Sequence, residues 1–229
     1  MASDNFELSN LTPLTLNRLL SFVTEDGGAR IHLHKDVQPI SQQGPQCGLV
    51  ALAMSLRKFG VNVSVDQLME KAIESGFTNK GEMFSIVNLC TLANFFAAGR
   101  ATVIPYPSES EFQKELLEGA QFILAYDCEK NFGPGLLDGI SAHWLLVCGF
   151  VYKDSTADNL MIADKVIDNA PDFSLLGYQG KSKSLGVFDF SQLLASNQQL
   201  MRTDKGMPEF ILKDPNDLSE LRNQVIKIF

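Results

Sequence analysis

The run His143-Trp144-Leu145-Leu146-Val147-Cys148-Gly149-Phe150 constrains this chain more than any other stretch. A strand with one face in water alternates apolar and polar residues; this run does not, so it belongs in the middle of a sheet. Helical patterns precede it and strand patterns surround it. Thr12-Pro13 caps and opens a first helix striped by Leu16, Leu19, Leu20 and Val23, and a second runs from Cys47 to Gly60. Ser64-Val65-Asp66-Gln67 is a capping box for a third, and Met83, Ile86, Val87, Cys90, Ala93 and Phe96 recur at helical spacing in a fourth, from about Lys80.

Beyond residue 100 the pattern predicts strands over 101–105, 121–126, 143–150, 160–163, 174–178 and 185–188, with helices from Ser108 and Ser191 between them. A strand near Phe210 and an amphipathic piece from Pro215 to Arg222 complete the chain. Helices first and strands second describe an α+β fold, with the helix that follows Cys47 packed on the later sheet. The 229 residues read as one domain, 1–229, in which residues 1–30 form a helical lead-in.

Net charge and cysteine spacing exclude several classes of function. A formal charge of −8 opposes general binding to nucleic acid or a membrane surface, since both are anionic. The four cysteines, Cys47, Cys90, Cys128 and Cys148, show no Cys-x-x-Cys or Cys/His ligand spacing, so neither a metal nor any other cofactor is expected. The acidic start Met1-Ala2-Ser3-Asp4 lacks a secretory layout, and no apolar run approaches the roughly 20 residues that span a bilayer. These features predict a cytoplasmic setting in which the thiols stay reduced.

The chemistry begins at Gln42-Gln43-Gly44-Pro45-Gln46-Cys47-Gly48-Leu49, where polar and backbone-breaking residues give way to an apolar helix at Cys47. A thiol at a helix start meets unpaired backbone N–H groups and the positive end of the helix dipole, and both favour thiolate. Gln42, Gln43 and Gln46 are amide donors placed to face an oxyanion beside the N–H of Cys47. Of three histidines, His32 and His34 share one face of an extended segment, whereas His143 opens the buried strand after a Gly-rich loop. His143 is therefore the candidate base, distant from Cys47 in sequence as such bases usually are. Asp164 and Gln179, each ending a strand, are both placed to orient its imidazole; Asp168 and Asn169, in a loop, rank lower.

Together, Gln42 to Leu52, Ala142 to Gly149, Gln179-Gly180-Lys181-Ser182 and Ser196-Asn197-Gln198-Gln199-Leu200 resemble the actin maturation proteases. These are cytosolic cysteine peptidases related to the double-glycine leader peptidases of bacterial exporters, and the likeness spans residues 40–200. It implies a papain-like fold with Cys47 as nucleophile, His143 as base and Gln42, five residues before the cysteine, at the oxyanion. The implied activity is removal of the acetylated N-terminal residue, Met or Cys, of immature actin. The same Cys/His chemistry also serves an acyltransferase or deamidase, and a peptidase-like module without activity is the remaining reading. Lys181 and Lys183 are candidates for a basic rim that meets an acidic actin terminus.

Overall fold

The computed structural model describes residues 11–203, 210–212, 214 and 216–229. Its order is α1 (Pro13–Leu20), β1 (Gly28–Leu33), α2 (Cys47–Lys58), α3 (Val65–Glu74), α4 (Ile86–Phe96), β2 (Ala101–Pro105), α5 (Glu109–Leu117) and β3 (Gln121–Cys128). There follow β4 (Pro134–Gly135), β5 (Ala142–Asp154), β6 (Leu160–Ile162), β7 (Ser174–Gln179), β8 (Gly186–Asp189), α6 (Phe190–Gln198) and β9 (Gln224–Ile228). The capping signals act where the sequence places them. Thr12 caps α1 with Pro13 as its first residue, and complete capping boxes open α3 and α5.

Helix α4 starts at Ile86, later than the expected Lys80, and the reason is local. The Ser85 hydroxyl accepts from Asn88 N, Gly81 takes a φ of +105°, and the Glu82 carboxylate accepts the N–H groups of Asn79 and Lys80. These bonds hold the residues before Ser85 in a loop.

Among the described residues nine strands form one sheet in the order β2-β9-β3-β5-β1-β6, with β4 added to β3, β7 to β5 and β8 to β7. Pairing is antiparallel except between β1 and β6, which run parallel. The lead-in therefore adds a strand to the sheet as well as a helix. Strand β9 lies beyond every expected element and inserts between β2 and β3. The piece expected from Pro215 to Arg222 shows only a 3-10 turn over Ser219–Leu221, Pro215 itself lying outside the described residues. Phe210 sits in a bend, and the rest of the strand expected there falls partly on residues 204–209 and 213, also outside the described set.

Strand β5 pairs with β3 over its first half, β1 over its second and β7 across its middle. A bulge between Val147 and Gly149 shifts the register with β7. Leu145 and Val147 before it, and Phe150 and Tyr152 after it, all join one apolar cluster with residues of α5 and α6. Trp144, Leu146, Cys148 and Val151 join the other, with α2, α3 and α4. Both faces of β5 are covered, which is why its sequence does not alternate. Helix α2 is likewise buried from Gly48 to Leu56, so its first residue is held rigidly against the sheet.

Candidate active site

The first turn of α2 packs on the start of β5. A Cβ added to Gly48 would lie 3.1 Å from Trp144 Cδ1 and 3.3 Å from Met83 Cβ, so glycine allows the two elements to close up. Trp144 Nε1 donates to Met83 O at 2.9 Å and pins the following loop to the same corner. The residues just before Gly48 and Trp144, Cys47 and His143, line one cleft of about 280 Å³ together with Gln42, Ser141 and Lys181. Met83, Phe84, Ile140 and Phe210 supply its apolar walls. Tyr126, cross-strand neighbour of His143, feels the same sulfur: its hydroxyl is pushed up chiefly by burial, and further by the thiols of Cys128 and Cys47. A larger concavity of about 820 Å³ contains no cysteine or histidine; Asp168 and Asn169 line it, well removed in chemistry from the thiol cleft.

His143 is buried, and its Nε2 lies 3.0 Å from Gln179 Oε1. The same oxygen accepts the backbone N–H of Lys181 at 2.9 Å. A backbone N–H can only donate, so the amide oxygen must face both groups and the Nε2 of His143 must carry a hydrogen. In the neutral ring the lone pair then sits on Nδ1. Of the two candidates, Gln179 is therefore the one bonded to the imidazole, while Asp164 lies beside Arg30. Asp164 follows the edge strand β6 with its side chain 77% exposed, 4.0 Å from the Arg30 guanidinium.

Among the three glutamines, only Gln42 lines the cleft. Its N–H donates to Gly180 O at 2.8 Å, and its side-chain Nε2 donates to Gly44 O at 2.7 Å. A Cβ on Gly180 would fall 2.6 Å from Gln42 Oε1, so glycine next to Gln179 makes room for the amide. Gln43 is exposed, and Gln46 lies against Gly81, where an added Cβ would be 2.7 Å from its Cγ. We expect Gly180→Ala to lower kcat about 10-fold with little change in melting temperature, because the atoms nearest the new Cβ all belong to the Gln42 side chain. A melting temperature several degrees lower with unchanged kcat would contradict this.

The other histidines lie at the far end of α2. His34 Nε2 donates to Leu116 O, and Lys58 Nζ donates to its Nδ1 at 2.9 Å. Burial, then the neighbouring Lys58 charge, bring the His34 pKa down to about 4. Lys58 ends the helix that Cys47 begins, so this pair lies at the opposite end of a helix about 16 Å long. All four cysteines carry thiols, and Cys47 alone is not buried. Burial pushes Cys148 up to about 12 and raises Cys90 as well, leaving both poorly suited to nucleophilic work. Among the described residues no group of three or more His, Cys, Asp or Glu is set to hold a metal, and no helix is long and apolar enough to cross a membrane.

Residues 37–151, half of the chain, match the family "Actin maturation protease-like, C-terminal domain". The chain belongs to this family. Cys47 and His143 both fall inside the match, and Gln179 lies beyond it. The chain is 33% identical over 183 residues to the actin maturation protease of Drosophila melanogaster, an alignment covering 77% of this chain and 62% of that protein. It is 31% identical to the Mus musculus protein of that name over 72% of this chain and 53% of the other, and 30% identical to the Danio rerio one over 73% and 63%. The alignments thus span less than two thirds of each relative's length. A crystal structure described as a C39-like peptidase from Bacillus anthracis superposes with a TM-score of 0.50 at 13% identity, covering 86% of this chain and 96% of that one. That likeness establishes the peptidase-type α+β fold of this family member.

Proposed function

We propose that this family member is a cytoplasmic cysteine peptidase that removes the acetylated N-terminal residue, Met or Cys, of immature actin. The observation that carries the reading is the His143–Gln179 bond at the cleft shared with Cys47. A binding module without chemistry would have no need of an imidazole locked in one tautomer beside a thiol at a helix start. The substrate comes from the relatives, each an actin maturation protease by name.

In the proposed reaction His143 takes the Cys47 proton, and the thiolate attacks the carbonyl carbon of the acetylated residue. As the C–S bond forms, the carbonyl electron pair moves to oxygen and meets the Cys47 N–H and the Gln42 amide. An amide nitrogen carries two hydrogens, so Gln42 can keep its bond to Gly44 O and give the second to the oxyanion. Collapse breaks the C–N bond, and the imidazolium protonates the leaving amine, which is the new N-terminus. Water, deprotonated by His143, then cleaves the thioester and releases the N-acetyl amino acid.

The cleft fits such a substrate in two ways. Met83, Phe84, Ile140 and Phe210 suit an apolar first side chain, and Lys181 stands exposed at the rim, where an acidic following residue would pass. Lys183 is exposed but does not line the cleft. Lys181→Glu should raise KM for an acidic peptide about 2- to 5-fold at low salt, the scale of an exposed ion pair, with the difference vanishing at high salt. Lys183→Glu should change neither; equal effects of both would remove this rim contact.

The direct test incubates the protein with an acetylated actin-type N-terminal peptide and follows its mass, with and without prior iodoacetamide. Loss of the first residue, blocked by alkylation that maps to Cys47, is the expected result. Intact peptide, or inhibition mapping to Cys90, Cys128 or Cys148, would refute the proposal.

A further inference from the structure

Asp127 is fully buried near the end of β3, one residue from the cross-strand partner of His143. Its Oδ2 accepts the N–H groups of Leu137 at 3.0 Å and Gly139 at 2.7 Å, and Gln199 Nε2 at 2.6 Å; its Oδ1 accepts Ser141 N at 3.0 Å. Four donors around one carboxyl match an acceptor-only carboxylate. Three of them are backbone groups of the single loop that leads into His143 and whose Ile140 and Ser141 wall the cleft. The N–H groups interleaved with these three, and that of Ala142, are also bound. Asp138 N donates to Gln199 Oε1, Ile140 N to Leu137 O, and Ala142 N to Gly139 O.

Helix α6 locks the other side of this arrangement. The Ser196 hydroxyl accepts Asp127 N at 2.9 Å, while Asn197 Nδ2 donates to Ala125 O and Leu221 O. The Ser196-Asn197-Gln198-Gln199 segment, far from the cleft in sequence, thus has a physical role: it holds Asp127 and the loop together.

Resting on the peptidase reading above, we infer that Asp127 is a positioning residue: with Gln199 it fixes the loop before β5, so that His143 meets Cys47 in a single geometry. Loss of this anchor displaces the start of β5 rather than the substrate. The expected consequence is a misplaced base, for which errors near 1 Å cost on the order of 100-fold in kcat/KM.

The test compares wild type, Asp127→Asn, Gln199→Ala and His143→Ala by the rate of iodoacetamide alkylation at Cys47 across pH, alongside peptide cleavage and thermal melting. In Asp127→Asn the amide oxygen can take the three-donor place of Oδ2, which turns its NH2 against the Ser141 N–H. The alkylation midpoint should then move toward the about 8.5 of an ordinary thiol, as in His143→Ala, while the protein still melts cooperatively. Gln199→Ala should shift it the same way by less. Wild-type midpoints in both Asp127→Asn and Gln199→Ala, whatever happens to melting temperature, would overturn the inference by leaving only a structural role. If Asp127→Asn does not fold, an unchanged midpoint in Gln199→Ala overturns it equally. An ordinary midpoint in the wild-type protein would instead overturn the peptidase reading itself.

Discussion

Cys47→Ala is expected to lower kcat/KM on an acetylated peptide about 10,000-fold or more, the usual cost of deleting a member of a nucleophile–base pair. His143→Ala should cost nearly as much, and the double variant no more than either alone, because the two groups act as a unit. The alanine in place of Cys47 sits at the first residue of a helix whose next nine residues are buried, so folding should survive. Mass spectrometry of the peptide with thermal melting of each variant checks both halves. Residual cleavage within 10-fold of wild type in folded Cys47→Ala, a threshold of about 1.4 kcal/mol, would assign the chemistry elsewhere.

The second large effect is expected at Gln179. Gln179→Ala leaves two donors, the buried His143 Nε2–H and the part-buried Lys181 N–H, without their shared acceptor. Stability should fall by about 1–3 kcal/mol, and kcat on the order of 100-fold as the imidazole loses its orientation. Gln179→Glu separates these roles. A carboxylate still accepts both N–H groups, so much of the stability returns, but it favours the imidazolium, and the basic limb of the kcat/KM profile should move to higher pH. A basic limb that stays in place in Gln179→Glu would show that residue 179 does not face the reacting imidazole.

The two residues proposed to react, which line one cleft, were legible because each is marked locally. Cys47 stands where polar glutamines stop and an apolar helix starts, and His143 stands where a Gly-rich loop meets an apolar strand. The choice between Gln179 and Asp164 was not legible, since both end strand patterns. It depends on which strand lies beside β5, and β7 does while β6 pairs with β1. Asp127 carried no signal: three of its four partners are backbone N–H groups of a loop, which any sequence could supply, and the fourth, Gln199, is 72 residues away. That both faces of β5 are covered was legible in its unbroken apolar run, but which of its residues share a face was not. The bulge at Cys148 changes which residues of β5 share a face, so no simple period of two links Leu145 to Tyr152. Strand β9 is short and follows irregular chain, and only its pairing with β2 and β3 makes it part of the core.

That placement imposes an order of assembly. Among the described residues β2 has no other neighbour in the sheet, so it can join the sheet only after residues 224–228 have returned across more than a hundred positions of chain. Connections this remote slow the search for the native state, and until the gap closes β3, which bears Tyr126 and Asp127, exposes an unpaired border. A version cut before residue 224 should therefore clump during refolding and lose the cleft, although every residue proposed to act on substrate lies upstream of the cut.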